Sequence, residues 1–114
     1  MVDVKRIQEN EFDILMVVGE VDASSSIQLD NAIKEAVESG GKKFLIDCTH
    51  LEYISSAGLG VFMSYIEEIK KHDIKMVIYG LNEKVENVFQ ILGLDQLLPI
   101  TENKEKAKTL VNEL

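Results

Sequence analysis

The sequence has one cysteine, Cys48, in 114 residues, so no disulfide can close within the chain. That scarcity fits a reducing compartment, and the cytoplasm is the expected location. Proline is equally scarce: Pro99 is the only one, and no proline-, serine- or glycine-rich stretch marks a linker. Basic residues are in deficit, 12 against 20 acidic ones, for a formal net charge of −8. A nucleic-acid partner is therefore not expected, because phosphate backbones are held by clustered lysine and arginine. The acidic balance points to a basic protein partner or to solubility alone. No apolar run approaches the roughly 20 residues a membrane-crossing helix needs. The opening Met1-Val2-Asp3-Val4-Lys5-Arg6 lacks the apolar stretch of a signal peptide. One cysteine and two separated histidines, His50 and His72, cannot assemble a zinc cluster, and neither metal nor cofactor is expected.

What remains is the composition of a folded domain, 46% hydrophobic and 28% charged. The length suits one domain over residues 1–114, without internal repeats. Val2 and Val4 alternate with polar neighbours and predict a strand over about residues 2–8. After the turn Glu9-Asn10-Glu11, the apolar run Phe12–Val18 predicts a central strand ended by Gly19. From about Ser24 the period changes: Leu29, Ala32, Ile33, Ala36 and Val37 share one helical face, with Asp22, Ser24, Ser25 and Ser26 as N-cap candidates and Gly40-Gly41 as the stop.

Lys43–Cys48 predicts a buried strand, followed by a loop from Thr49 to Ser55. Leu59, Phe62, Met63, Ile66 and Ile69 define a second helix, with Lys70, Lys71 and His72 favourably placed at its end. Lys75–Tyr79 predicts a strand. Asn82 caps a third helix stopped by Gly93, Leu97–Ile100 predicts an edge strand, and Thr101 caps a last helix burying Ala107, Leu110, Val111 and Leu114. The order ββαβαβαβα predicts an α/β fold: a mixed sheet of four to five strands, opened by a hairpin and packed by four helices.

The most informative segment is Ile54-Ser55-Ser56-Ala57-Gly58-Leu59-Gly60-Val61-Phe62, where a loop enters the second helix. Orphan amides and the positive end of the helix dipole gather there, so an anion or a phosphoserine would be stabilised. On a plainer reading, Ser55 only caps the helix and Gly58 and Gly60 only permit close packing. Each glycine costs about 1 kcal/mol relative to alanine, which argues that something approaches the backbone. A serine hydrolase does not fit, since the glycine-flanked nucleophile elbow is absent. A phosphate-binding P-loop lacks its Gly-Lys-Ser/Thr. Gly19-Glu20-Val21-Asp22 is the second candidate, at a strand end where α/β sheets place their sites; Asp22 is a helix cap or part of a binding surface. Asp47, at another strand end, invites comparison with a phosphoryl-accepting receiver domain. The acidic pair and following lysine of such domains are missing.

With these segments in order, the sequence resembles the STAS family, named for sulfate transporters and anti-sigma factor antagonists. Gly19-Glu20-Val21-Asp22 is similar to the family's Gly-Glu-Leu-Asp turn, and Phe44–Asp47 to its third strand. Ser55-Ser56-Ala57-Gly58-Leu59-Gly60-Val61 is similar to its Asp-Ser-Ser/Thr-Gly-Leu-Gly-Val phosphorylation loop. The alignment places the regulated serine on Ser56 rather than Ser55. Ser55 stands where the motif has aspartate, and Ala57 where it has its second hydroxyl residue. The resemblance implies a binding protein, not an enzyme. Its unphosphorylated form would bind an anti-sigma factor that is also a serine kinase and so free the sigma factor. Phosphorylation would end binding, and a phosphatase would restore it. The implied partner surface comprises Asp22, Ser24, Ser55, Ser56, Ala57, Gly58, Leu59 and Gly60. A STAS domain serving a stress complex, or a lipid- or anion-transport system, is the alternative.

Overall fold

A computed structural model describes residues 2–114. Strand β1 (Val2–Glu9) folds back antiparallel on β2 (Phe12–Val21), in a register running from Val2 opposite Gly19 to Glu9 opposite Phe12. Helix α1 (Ser26–Glu38) leads to β3 (Lys43–Asp47), which lies parallel to β2. A short strand β4 (Leu51–Ile54) then precedes α2 (Ser56–Ser64) and α3 (Ile66–Lys71). The chain continues through β5 (Lys75–Tyr79), α4 (Glu83–Ile91), a single 3-10 turn (Leu94–Gln96), β6 (Ile100–Thr101) and α5 (Lys104–Glu113). The main sheet runs β1-β2-β3-β5-β6, and β4 pairs with the far end of β2.

Alternation along the strands sorts the side chains into two cores. Leu15, Val17, Phe44, Ile46, Met76 and Ile78 pack with Leu29 and Ile33 of α1, Leu59 and Phe62 of α2, and Val85 and Phe89 of α4. Their neighbours Ile14, Leu45, Val77 and Tyr79 face the other way, against Ala107 and Val111 of α5. One face of the sheet thus carries α1 to α4, and α5 alone covers part of the other.

The mixed α/β architecture is as the periodicity predicts, and the boundaries differ instructively. Among the described residues there are six strands, not four or five, because part of the expected Thr49–Ser55 loop is β4. Leu51 and Ile54 are buried at its two ends, while Glu52 and Tyr53 face out. Four residues with two polar-facing positions give no periodic signal. Strand β2 does not stop at Gly19 but continues to Val21. Gly19 adopts φ +101°, a conformation open to glycine, at the bulge where β2 exchanges β3 for β4 as its partner. The second helix breaks at Tyr65, whose amide bonds to Phe62 rather than one residue further back. Leu94–Gln96 forms the 3-10 turn and only Ile100–Thr101 pairs with β5, so the strand expected over Leu97–Ile100 is displaced toward the C-terminus. The cap of α5 is Asn103, not Thr101: its side chain accepts from the Lys106 amide at 2.9 Å, while Thr101 is spent on β6. Leu114 is half exposed and lies beyond α5.

Candidate functional site

The two segments singled out from the sequence meet at the carboxyl ends of β2 and β4. These strands are parallel, with Val21 opposite Ile54, and the Ser55 amide donates to the Val21 carbonyl at 2.8 Å. Asp22 and Ser55 therefore leave the sheet side by side, each opening a helix. The link runs through β4, the strand the sequence pattern concealed.

The Asp22 loop is held by one carboxylate oxygen. Asp22 Oδ1 accepts from the Ser24 amide at 3.0 Å, the Ser24 hydroxyl at 2.8 Å and the Ser25 amide at 2.9 Å. The Ser25 hydroxyl in turn accepts from the Asp22 amide at 2.9 Å. Asp22 thus organises the turn that delivers α1, as a capping carboxylate does. Ser25, the residue before α1, makes no side-chain cap of its own. These donors, the Ser25 amide foremost and then the Ser24 and Ser25 hydroxyls, hold the Asp22 carboxyl well below the usual carboxylate range. A folded pKa below the unfolded one gives stability that is complete above about pH 4 and lost as pH falls through the folded value. Asp22→Asn is therefore expected to lower the melting temperature at neutral pH, and the gap from the wild type should narrow as the pH drops below about 4. Thermal melts across that range check this. At the end of β3 the Asp47 carboxylate likewise holds a turn, with Oδ1 accepting from the Thr49 amide at 2.9 Å and hydroxyl at 2.7 Å.

At the second helix, Ser55 is extended, with φ −87° and ψ 172°, and its hydroxyl oxygen accepts from the Gly58 amide at 3.2 Å. It is the N-cap of α2. Ser56 is the first helical residue and is exposed. The first turn contains no acidic side chain. Ser55→Ala is expected to cost about 1 kcal/mol, a fall of roughly 4 °C in Tm, while leaving the Ser56 hydroxyl available. A melt of the variant measures it.

The stretch is not uniformly a surface. Ser56, Ala57 and Gly60 are exposed, whereas Gly58 is buried and Leu59 is only 1% exposed against the core. Leu59 and Gly58 therefore lie beneath the exposed Ser56, Ala57 and Gly60. A Cβ on Gly58 would stand 2.7 Å from both Val21 Cγ1 and Ile54 Cγ1, while one on Gly60 would meet nothing within 4 Å. The glycines answer the two readings separately: close packing explains Gly58, and open space remains at Gly60.

Further down, the Tyr65 hydroxyl donates to Asp30 Oδ1 at 2.7 Å, tying the end of α2 to the middle of α1. Burial, with the bond to Asp30 next, pushes the Tyr65 pKa far up. This tie was invisible in the sequence, since Tyr65 and Asp30 lie 35 residues apart. Cys48 is fully buried in the main core, and burial pushes its thiol pKa far up, so it serves as a core residue. No group of histidine, cysteine and carboxylate side chains among the described residues could hold a metal ion, and no helix is long and apolar enough to cross a membrane.

The STAS domain family model matches residues 3–107. The anti-sigma-B factor antagonist of Listeria monocytogenes is 28% identical over 99 residues, covering 87% of this chain and 86% of that protein. The crystal structure of an anti-sigma factor antagonist from Mycobacterium paratuberculosis superimposes with a TM-score of 0.90 at 20% identity, covering 98% of this chain and 95% of that one. The Bacillus cell fate determinant SpoIIAA, in its phosphorylated form, gives 0.70 at 19% identity, over 97% and 99% of the two chains. At those identities the two structures establish a shared fold.

Proposed function

The chain belongs to the STAS domain family, and on that premise we propose that it is an anti-sigma factor antagonist switched by phosphorylation of Ser56. The observation that carries this reading is the division of labour between adjacent serines. Ser55 is committed to capping α2, and Ser56 stands exposed on the first turn beside the Asp22 loop. The names of the similar proteins, antagonists of anti-sigma factors, support the antagonist part of this reading.

Unphosphorylated, the protein docks through this face on an anti-sigma factor with serine kinase activity and displaces the sigma factor. The kinase transfers the terminal phosphoryl group of ATP to the Ser56 hydroxyl, and a phosphatase removes it by hydrolysis. The protein is ligand and substrate, not catalyst. Phosphorylation adds about −1.5 to −2 charges. At the start of α2 the phosphate meets orphan amides and the positive end of the dipole, so the fold tolerates it. Its bulk and charge fall beside the Asp22 carboxylate, on the surface the partner must cover. A tenfold loss of affinity needs only about 1.4 kcal/mol, so a local change suffices.

The test is incubation with the cognate anti-sigma factor kinase and ATP, followed by mass spectrometry of the peptide spanning residues 51–71. Phosphate on Ser56 is the expected result. Phosphate on Ser55, or none, overturns the assignment.

A further inference from the structure

The face beside Ser56 does not end at α2. Helices α1 and α2 leave the parallel strands β2 and β4 together, joined at the top by the bond from Ser55 to Val21 and lower down by that from Tyr65 to Asp30. They therefore run side by side in the same direction. One turn above the lower tie stands Ile27, 63% exposed although it is a large aliphatic side chain on a helix that buries Leu29, Ile33 and Ala36. Ala57 and Gly60 of α2 are exposed as well, and Gly60 adds no side chain that would keep a visitor away.

Below the tie the seam opens into a groove of about 290 Å³, lined by Asp30, Lys34, Val37, Glu38, Tyr65 and Glu68. Its sides carry three carboxylates against one lysine. Asp30 is engaged by Tyr65, but among the described residues neither Glu38 nor Glu68 takes part in an ion pair. The carboxylates of Asp30, Glu68 and Glu38 all act on the Tyr65 hydroxyl at the floor. The seam from Ile27 to Glu38 covers twelve residues of α1, about 16 Å, or three turns of a helix laid along it.

We propose that the docking surface continues from Ser56 down this seam. The partner segment seated there is amphipathic, with an apolar residue over Ile27 and a lysine or arginine in the groove below it. The proposal rests on the function given above and names the chemistry of the partner at that site. The apolar contact supplies affinity, since an exposed aliphatic side chain on α1 offers area to bury. The unpaired carboxylates supply charge complementarity, which speeds encounter and fixes register. The acidic balance of the whole chain acts in the same direction.

The test measures binding of the purified cognate anti-sigma factor by calorimetry at low and high salt. Four variants are compared with the wild type: Ile27→Ser, the double change Glu38→Lys with Glu68→Lys, Ser56→Asp, and Glu113→Lys at the end of α5 on the other side of the sheet. The changed seam positions are exposed, so each variant keeps its fold, which a melt confirms. Ile27→Ser and the double charge reversal are expected to weaken binding roughly tenfold each. The double reversal should also flatten the salt dependence, while Glu113→Lys binds as the wild type does. If Ser56→Asp loses affinity but the seam variants bind normally, the seam is not part of the interface and the proposal fails alone. If the wild type itself does not bind, the functional reading fails and takes this proposal with it.

Discussion

Ser56→Ala is expected to abolish phosphate incorporation by the anti-sigma factor kinase while leaving the melting temperature and partner affinity close to those of the wild type. The Ser56 hydroxyl makes no hydrogen bond that holds the fold among the described residues; the cap of α2 belongs to Ser55. The variant should therefore stay able to bind under conditions that inactivate the wild type. Ser56→Asp should bind more weakly, yet less weakly than the phosphoprotein, because a carboxylate brings one charge and fewer acceptor oxygens. Incorporation from labelled ATP, together with melts, separates these outcomes. Normal incorporation in Ser56→Ala with loss in Ser55→Ala would show the two serines in each other's roles.

The second large effect is a contrast between two glycines one turn apart or less. Gly58→Val places methyl groups against Val21 and Ile54, where even a Cβ stands at 2.7 Å. Overpacking of this kind costs about 3 kcal/mol, and valine is no strong helix former that would offset it. A Tm roughly 10 °C lower is expected. The insult falls where β2, β4 and α2 meet, so the Asp22 loop and Ser56 lose their mutual placement and phosphorylation falls as well. Gly60→Ala should do the opposite to the fold. Its Cβ enters open space on an exposed helical position, so stability rises by up to about 1 kcal/mol. Partner affinity should nevertheless fall, because the methyl group stands on the docking face. A variant that melts higher and binds worse distinguishes a functional glycine from a packing one. Unchanged affinity in Gly60→Ala would assign Gly60 no part in the interface.

Much of this was legible in the sequence, for identifiable reasons. The helices announced themselves where apolar spacing was regular, as at Leu29, Ile33 and Ala36 of α1 and Val85 and Phe89 of α4. The cap of α2 was legible because Ser55 precedes a helical run and its oxygen reaches the amide three residues on. Strand β4 was not, since its pairing with β2 is short and follows a bulge that only Gly19 hints at. The burial of Leu59 beside exposed Ser56 and Gly60 required knowing which side of α2 meets the sheet. Asp13 escaped notice too. It is 5% exposed and bonded through Oδ1 to Arg6 Nε at 3.0 Å and Nη2 at 2.8 Å, a pairing that depends on the register of the β1–β2 hairpin rather than on any local motif. The tie between Tyr65 and Asp30 is of the same long-range kind. Contacts set by strand register and helix pairing carry no short-range signature, whereas caps, turns and periodic faces do.

The central claim is that one phosphoryl group on Ser56 decides whether this face can dock. The most direct measurement compares the dissociation constants of the unmodified and the Ser56-phosphorylated protein for the cognate anti-sigma factor, using the same preparation before and after the kinase reaction. A loss of affinity of roughly tenfold or more on phosphorylation, with the melting temperature preserved, is the predicted result. Equal affinity of the two forms would contradict it.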